Sequence, residues 1–193
     1  MLHALLKHDV SRLPVADTVR VTEDAVEKPL GKVGLVGTVT RLRGFRQDII
    51  DERAGVAGAH VVVEESGASL HYPQGLNTAR TFAAVNAPFA PDAYRYENGQ
   101  VMAGPDCKFA PGCRNISTQS LAIFQRLGDV QTRVIAVDER MGIVWLRMAW
   151  GVRERGGDQL TVWEAFKVYD GQIHAVEAFM RILPVEKRNG GWE

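Results

Sequence analysis

Leu160-Thr161-Val162-Trp163-Glu164-Ala165-Phe166-Lys167-Val168-Tyr169-Asp170-Gly171-Gln172-Ile173-His174-Ala175-Val176-Glu177-Ala178-Phe179-Met180-Arg181 is the stretch that decides the fold. It holds two runs, 160–168 and 173–181, rich in the branched and aromatic residues that suit a pleated surface. Asp170-Gly171 stands between them, a pair that accepts the positive φ angles of a two-residue hairpin turn. Working back along the chain, residues 143–153 and 130–138 are two more such runs, set off by Gly156-Gly157 and by residues 139–142. Four consecutive β-runs on short turns predict an antiparallel meander in the C-terminal half.

Upstream the signal is mixed. Leu2, Leu5 and Leu6 are spaced for a short amphipathic helix ending near Asp9, and Leu13-Pro14 breaks it. Val19-Arg20-Val21-Thr22 alternates as a strand does, and residues 45–51 and 57–65 read as two more strands. Gly31, Gly34 and Gly37 are spaced somewhat as in a dinucleotide-binding loop. That motif must open a helix, whereas Thr38-Val39-Thr40 is β-branched, so the glycines read as flexible or close-packed backbone. Residues 66–128 are punctuated by Pro and Gly, with a short helix expected around Phe82 and a helical turn or two over 117–127. This stretch reads as a structured lid or binding loop. The expectation is one α+β domain over residues 1–193, with the lid inserted at about 66–128.

Composition narrows the partners. Lys and Arg total 23 and Asp and Glu total 23, so the chain is neutral and lacks the basic excess of a phosphate-binding surface. No nucleic acid is expected; a small apolar or aromatic molecule is. No run approaches the roughly 20 apolar residues that span a bilayer, and residues 1–9 do not resemble a secretory signal. No membrane partner and a cytoplasmic location follow as expectations. Cys107 and Cys113 flank Pro111-Gly112; they could close a disulfide loop or stay reduced, and two cysteines are too few for a zinc site.

Turn chemistry also assigns faces, because a strand's side chains alternate. Asp170-Gly171 as a two-residue loop sets Glu164 opposite Glu177. Gly156-Gly157 as a loop pairs Arg155 with Asp158, sets Ala149 opposite Glu164, and makes Arg147 a diagonal neighbour of Glu164. A five-residue loop after Val137 sets Arg133 across from Arg147. One face then carries Arg133, Trp145, Arg147, Glu164, Phe166, Glu177 and Phe179, the pattern of an apolar pocket with a few polar points. Two facing carboxylates cannot both ionise cheaply, so one pKa is expected to rise unless the arginines neutralise the pair, and a raised carboxyl is a competent general acid or base at neutral pH. The same residues also read as ion pairs on a solvated or subunit-facing sheet.

A second constellation is Tyr94-Arg95-Tyr96-Glu97-Asn98-Gly99, which offers a phenol donor, an anion clamp and a base beside a tight turn, or aromatic packing around that turn. Arg20 and Glu23 invite the same two readings. His60 lies in an apolar strand, as a packed histidine or a substrate contact. His3, His8, His71 and His174 lack metal-ligand spacing, so neither a metal nor an organic cofactor is expected.

The segment Phe166-Lys167-Val168-Tyr169-Asp170-Gly171-Gln172-Ile173 resembles the F-x-V-x-D-G-K-I ending of the SnoaL-like, ketosteroid-isomerase-like (nuclear transport factor 2-like) superfamily, with Gln172 in place of Lys. His8-Asp9 to Pro14, Val19-Arg20-Val21-Thr22-Glu23, Arg95-Tyr96-Glu97-Asn98-Gly99, Val137-Asp138-Glu139 to Gly142-Ile143-Val144 and Gly191-Trp192 resemble a bacterial and fungal branch of it. The chain departs from that branch in a compressed segment before Tyr94 and in Asp24, where the branch has Asn. The resemblance implies a cone-shaped α+β barrel, a curved antiparallel sheet wrapped around N-terminal helices over a deep pocket, and a homodimer or homotrimer. It also implies a cofactor-independent lyase or isomerase; one similar group deformylates lignin-derived diarylpropane diols. Glu97, Glu164 or Glu177 would then move a proton, with Tyr94 and one of Arg95, Arg133 or Arg147 stabilising an oxyanion. His60, Trp145, Phe166 and Phe179 would contact the substrate. The rival expectation is a non-catalytic binding or assembly domain of the same fold.

Overall fold

The computed structural model describes residues 1–23, 26–65, 87–118, 127–152 and 157–184. The expected helix around Phe82 and most of the one over 117–127, together with Asp24, His71, Arg155, Gly156 and Gly191-Trp192, lie outside these residues. The chain divides into two compact units. One takes residues 1–47 and the described part of 60–73; the other takes 48–59 and the described part of 74–185.

The expected α+β cone is not what forms. Among the described residues there are two helices of five residues each, α1 (Leu2–Leu6) and α2 (Gly34–Thr38), and the remaining regular structure is almost all strand. Open sheets, not a barrel wrapped on helices, make the molecule. The residues explain why. Past α2 the sequence turns β-branched at Thr38-Val39-Thr40, and no later described stretch keeps a 3.6-residue apolar period.

In the first unit α1 and α2 pack together, with Leu5, Val36 and Val39 forming a small core that Leu2, Leu6, Val10 and Val63 extend. His8 Nε2 bonds the Val39 carbonyl at 2.8 Å and ties the segment after α1 to the start of β3 (Val39–Asp51). β1 (Thr22–Glu23) and β2 (Val26–Glu27) form a two-residue antiparallel pair, and β3 pairs with β4 (Val56–Glu65) in a second small sheet.

The second unit is built on a six-stranded sheet. Its strands are β5 (Phe89–Glu97), β6 (Gln100–Ala103), β7 (Leu127–Asp138), β8 (Ile143–Val152), β9 (Gln159–Tyr169) and β10 (Gln172–Leu183), in the order β6-β5-β10-β9-β8-β7. The last four are the expected meander. β5 and β6 fall inside the stretch read as a lid, and β5 lies parallel to β10 in the body of the sheet. Pro91 hid it: a proline inside a run argues against a central strand. It is tolerated because the β5–β10 ladder is interrupted between the Phe89 and Tyr94 pairings, so no ladder bond from its missing N–H is needed.

Two turns fix the strands around the site. Asp170 and Gly171 have φ of 50° and 72°, and Asn98 and Gly99 have 47° and 82°, so both pairs adopt positive φ throughout, as hairpin turns of this kind require. The Asn98 side chain also accepts from the Met180 N–H at 2.9 Å and donates to the Met180 carbonyl at 3.2 Å, which locks β5 to β10.

The register differs from the one that turn chemistry alone gives. Asp170-Gly171 does pair Tyr169 with Gln172, but a β-bulge between Ile173 and Ala175 then shifts the ladder by one residue, so Glu164 lies opposite Ala178. A one-residue slip moves every later side chain to the other face. On its other side Glu164 pairs with Leu146, not Ala149, and Arg147 pairs with Trp163. Arg133 does lie across from Arg147.

One face of this sheet carries Met148, Leu160, Val162 and Ala178, with Leu146, Trp150 and Met180 packed on them, and continues into Ala93, Ala103, Ile116 and Val176. The opposite face buries Ala136, Ile143, Trp145 and Ala165 under Ile49. Residues 48–59 are clipped there by two aspartates: Asp138 accepts from the N–H groups of Ile50 (3.1 Å) and Met141 (3.1 Å), and Asp51 accepts from the Val137 N–H (2.9 Å).

Candidate buried carboxylate site

The bulge sorts the three glutamates onto opposite faces. Glu97, Ala178 and Glu164 form one row across β5, β10 and β9. Neighbouring strands lie about 4.8 Å apart, so the two carboxylates start from positions roughly 10 Å apart, over a residue with almost no side chain. Arg95, two residues before Glu97 on the same face, fills that gap. Its Nε lies 2.6 Å from Glu97 Oε1 and its Nη1 2.6 Å from Glu164 Oε1. All three residues are buried. Burial works to lower the Arg95 pKa, but the charges of Glu164 and Glu97 outweigh it and hold the guanidinium charged. Burial pushes Glu164 up, against the pull of Arg95. Arg95 thus ion-pairs both carboxylates; at 2.6 Å the charge attraction to Glu164 is direct, although its Oε1 receives no well-aligned hydrogen bond.

Glu177 lies on the other face, in a row with Tyr96 on β5 and Ala165 on β9. Ala175 and Phe179 precede and follow it on that face, with Tyr94 beside Ala175 and Trp163 beside Phe179. Its neighbours on that face are thus two alanines, four aromatic residues and Lys167, which lies beside Ala175 on β9. Glu177 is 5% exposed, and its Oε2 is buried with no hydrogen-bond partner. Burial alone raises its pKa to about 7. A buried carboxyl without a counter-ion neutralises instead of carrying the cost of an isolated charge.

Tyr94 completes the pair. Its ring meets Tyr96 edge-on, with centroids 5.3 Å apart, and it keeps 37% exposure. Burial raises its phenol pKa, and the nearby Glu177 charge and Tyr96 raise it further. At neutral pH the phenol is a firm O–H donor beside a half-titrated carboxyl.

The other expected site residues separate. Arg147 is buried on the Glu177 face in the row of Trp163 and Phe179, and Arg133 is exposed at the far edge of that row. Trp145 belongs to the core, tilted against Trp163 at 5.3 Å; a Cβ added at Gly58 would come within 2.0 Å of its ring. Phe166 packs on the opposite face beside Val176, so it is not next to Glu177. His60 belongs to the first unit; burial lowers its pKa to about 4, leaving it neutral. Arg20 pairs with Glu27 at 3.0 Å on the surface. Glu23 lines a cavity of about 320 Å³ with Leu5, Val10, Leu30 and Val36. Its carboxylate is already engaged by Lys28, by the Gly34 N–H at 3.0 Å and by the Leu35 N–H at 3.3 Å.

Cys107 and Cys113 are bridged, with Cα atoms 5.7 Å apart. Among the described residues no group of three or more His, Cys, Asp and Glu side chains is arranged to hold a metal ion, and no helix is long and apolar enough to cross a membrane.

Residues 71–180 match a family model described as a domain of unknown function, DUF8021. The chain belongs to the DUF8021 family. No curated protein matches it. The DUF8021 span includes β5 to nearly the end of β10, so the Arg95 triad, Glu177, Tyr94 and both cysteines fall within it. His60 and the cavity beside Glu23 fall outside it.

Sequence reasoning named Glu177 and Tyr94 but gave them the wrong company. It missed the role of Ala178 as the space that Arg95 occupies.

Proposed function

We propose that the chain is a cofactor-independent acid/base enzyme, a lyase or isomerase acting on a neutral aromatic or polycyclic alcohol or ketone. Glu177 is the group that moves the proton. The observation that carries this reading is its carboxyl: buried, with Oε2 lacking a hydrogen-bond partner, and at a pKa of about 7. A group with that pKa is populated in both protonation states at neutral pH, which is what a general base that must also return its proton requires. Tyr94 donates a hydrogen bond to the oxygen on which charge builds as the proton leaves. The aromatic neighbours of Glu177 favour a flat, uncharged substrate, and deformylation of a lignin-derived diarylpropane diol is one reaction of this class.

Arg95 takes no part in binding the oxyanion, because both of its facing carboxylates already neutralise it. Glu97 and Glu164 serve the structure on the opposite face.

The test is turnover of a panel of aromatic alcohols and ketones by the unaltered chain and by Glu177→Gln, Glu164→Gln and Glu97→Gln. Loss of about 10²–10⁴-fold in Glu177→Gln alone supports the assignment. Full turnover in Glu177→Gln refutes it.

A further inference from the structure

Gly104 follows β6 at the edge of the sheet and runs past Tyr94 more closely than any other residue could. Its φ is +117°, a conformation that L side chains rarely adopt. A Cβ added there would lie 2.7 Å from Tyr94 Cβ, 2.9 Å from Tyr94 Cα and 3.2 Å from the Ala93 carbonyl oxygen. Two of these three are backbone atoms of β5, so they have little freedom to yield.

The approach is held from the other side by the disulfide loop. The Gly104 N–H donates to the Cys113 carbonyl at 2.9 Å, and the Gly104 carbonyl accepts from the Cys107 N–H at 2.9 Å. The two cysteines are themselves joined and buried. Gly104 is thus bonded at both its backbone groups to the two ends of one covalent ring, and that ring presses it onto Tyr94.

We infer that Gly104 and the Cys107–Cys113 ring are positioning elements that hold Tyr94 against Glu177. The inference deepens the proton-transfer reading and rests on it. The bridge closes a short loop and adds no group to the site; its effect is on where the phenol stands. The charged and titratable groups that the register places on the Glu177 face are Tyr94, Tyr96, Lys167, Tyr169, Arg147, Arg133, Asp138 and Arg181, with His174 stacked on Tyr169, and of these Tyr94 alone lies beside the glycine.

The experiment is carbon-13 titration of the Glu177 carboxyl in the full chain, with its resonance assigned by its loss in Glu177→Gln. The variants are Gly104→Ala, Tyr94→Ala, the two together, and Cys107→Ser with Cys113→Ser. If Gly104 acts through Tyr94, Gly104→Ala lets water reach the carboxyl and lowers its midpoint by about one pH unit or more. The cysteine double variant shifts the same way by less. Gly104→Ala adds nothing once Tyr94 is alanine, since the two substitutions then share one path. A merely structural glycine lowers the unfolding midpoint and leaves the carboxyl midpoint in place, and that result in folded protein overturns the inference. So does full additivity with Tyr94→Ala. Should Gly104→Ala not fold, the cysteine variant decides, and an unmoved carboxyl there overturns it. If Glu177 in the unaltered chain titrates in the ordinary carboxylate range, the proton-transfer reading falls and takes this inference with it. If it titrates near 7 and the variants leave it there, this inference alone falls.

Discussion

Glu164 and Glu177 are both buried glutamates on adjacent strands, one residue out of register, and the two faces of the sheet treat them oppositely. On one face Ala178 leaves a gap that Arg95 occupies, so Glu164 and Glu97 share a cation. On the other, alanines again leave room, yet among the described residues no salt bridge reaches Glu177 and its Oε2 has no hydrogen-bond partner. Burial raises the pKa of both carboxyls, but a guanidinium at 2.6 Å pulls against that rise at Glu164, and among the described residues no ion pair does so at Glu177. The difference lies in what fills the space beside the carboxyl, not in how deeply it is buried.

Four perturbations break or sharpen this contrast, in order of expected size. The largest is on activity: Glu177→Gln removes turnover, while Glu164→Gln leaves the chemistry and affects folding. Next is Arg95→Met, which strands two buried carboxylates and costs about 3–5 kcal/mol of stability in a urea titration. No equivalent loss is expected on the Glu177 face, where no salt bridge reaches Glu177 among the described residues. If Arg95→Met unfolds no more easily than the unaltered chain, the triad is not paired as described.

The third is a pH slope. The Glu177 pKa is raised in the folded state from an ordinary value of 4.5 to about 7, so the folded chain binds the proton more tightly than the unfolded one. The stability this gives is fully present below about pH 4.5 and is lost as pH rises through about 7. The lost stability amounts to roughly 3 kcal/mol. Glu177→Gln flattens that part of the profile; an unchanged profile breaks the comparison. The smallest is Gly58→Ala, which drives a methyl group into the Trp145 ring, two strands from Glu177 on the same face, and costs about 1–3 kcal/mol without moving the Glu177 pKa. A moved pKa would show that the packing of Trp145 sets the surroundings of Glu177.

The meander was legible because its turns carry strong chemistry: Asp170-Gly171 forms the predicted hairpin and pairs the predicted residues. The faces were not, because a single bulge beside His174 reverses every assignment beyond it, and a bulge leaves no residue signature comparable to a glycine turn. The register of β8 with β9 compounded this: Gly151 pairs with Gln159, which is not the pairing that a two-residue turn at Gly156-Gly157 gives. β5 was hidden by Pro91, although Tyr94-Arg95-Tyr96-Glu97 alternates and Asn98-Gly99 follows it, a hairpin signal that outweighs one proline at an irregular position. The α+β cone came from resemblance, and the scarcity of helix in the described chain removes it. What remained readable was the residue types themselves: a carboxyl and a phenol among aromatics, whichever side of the sheet they occupied.

The central claim is tested most directly by site-resolved carbon-13 titration of the glutamate carboxyls in the unaltered, folded chain. The account predicts that Glu177 titrates as a single group with a midpoint at about 7. A Glu177 midpoint near the ordinary glutamate value of about 4.3 would contradict it.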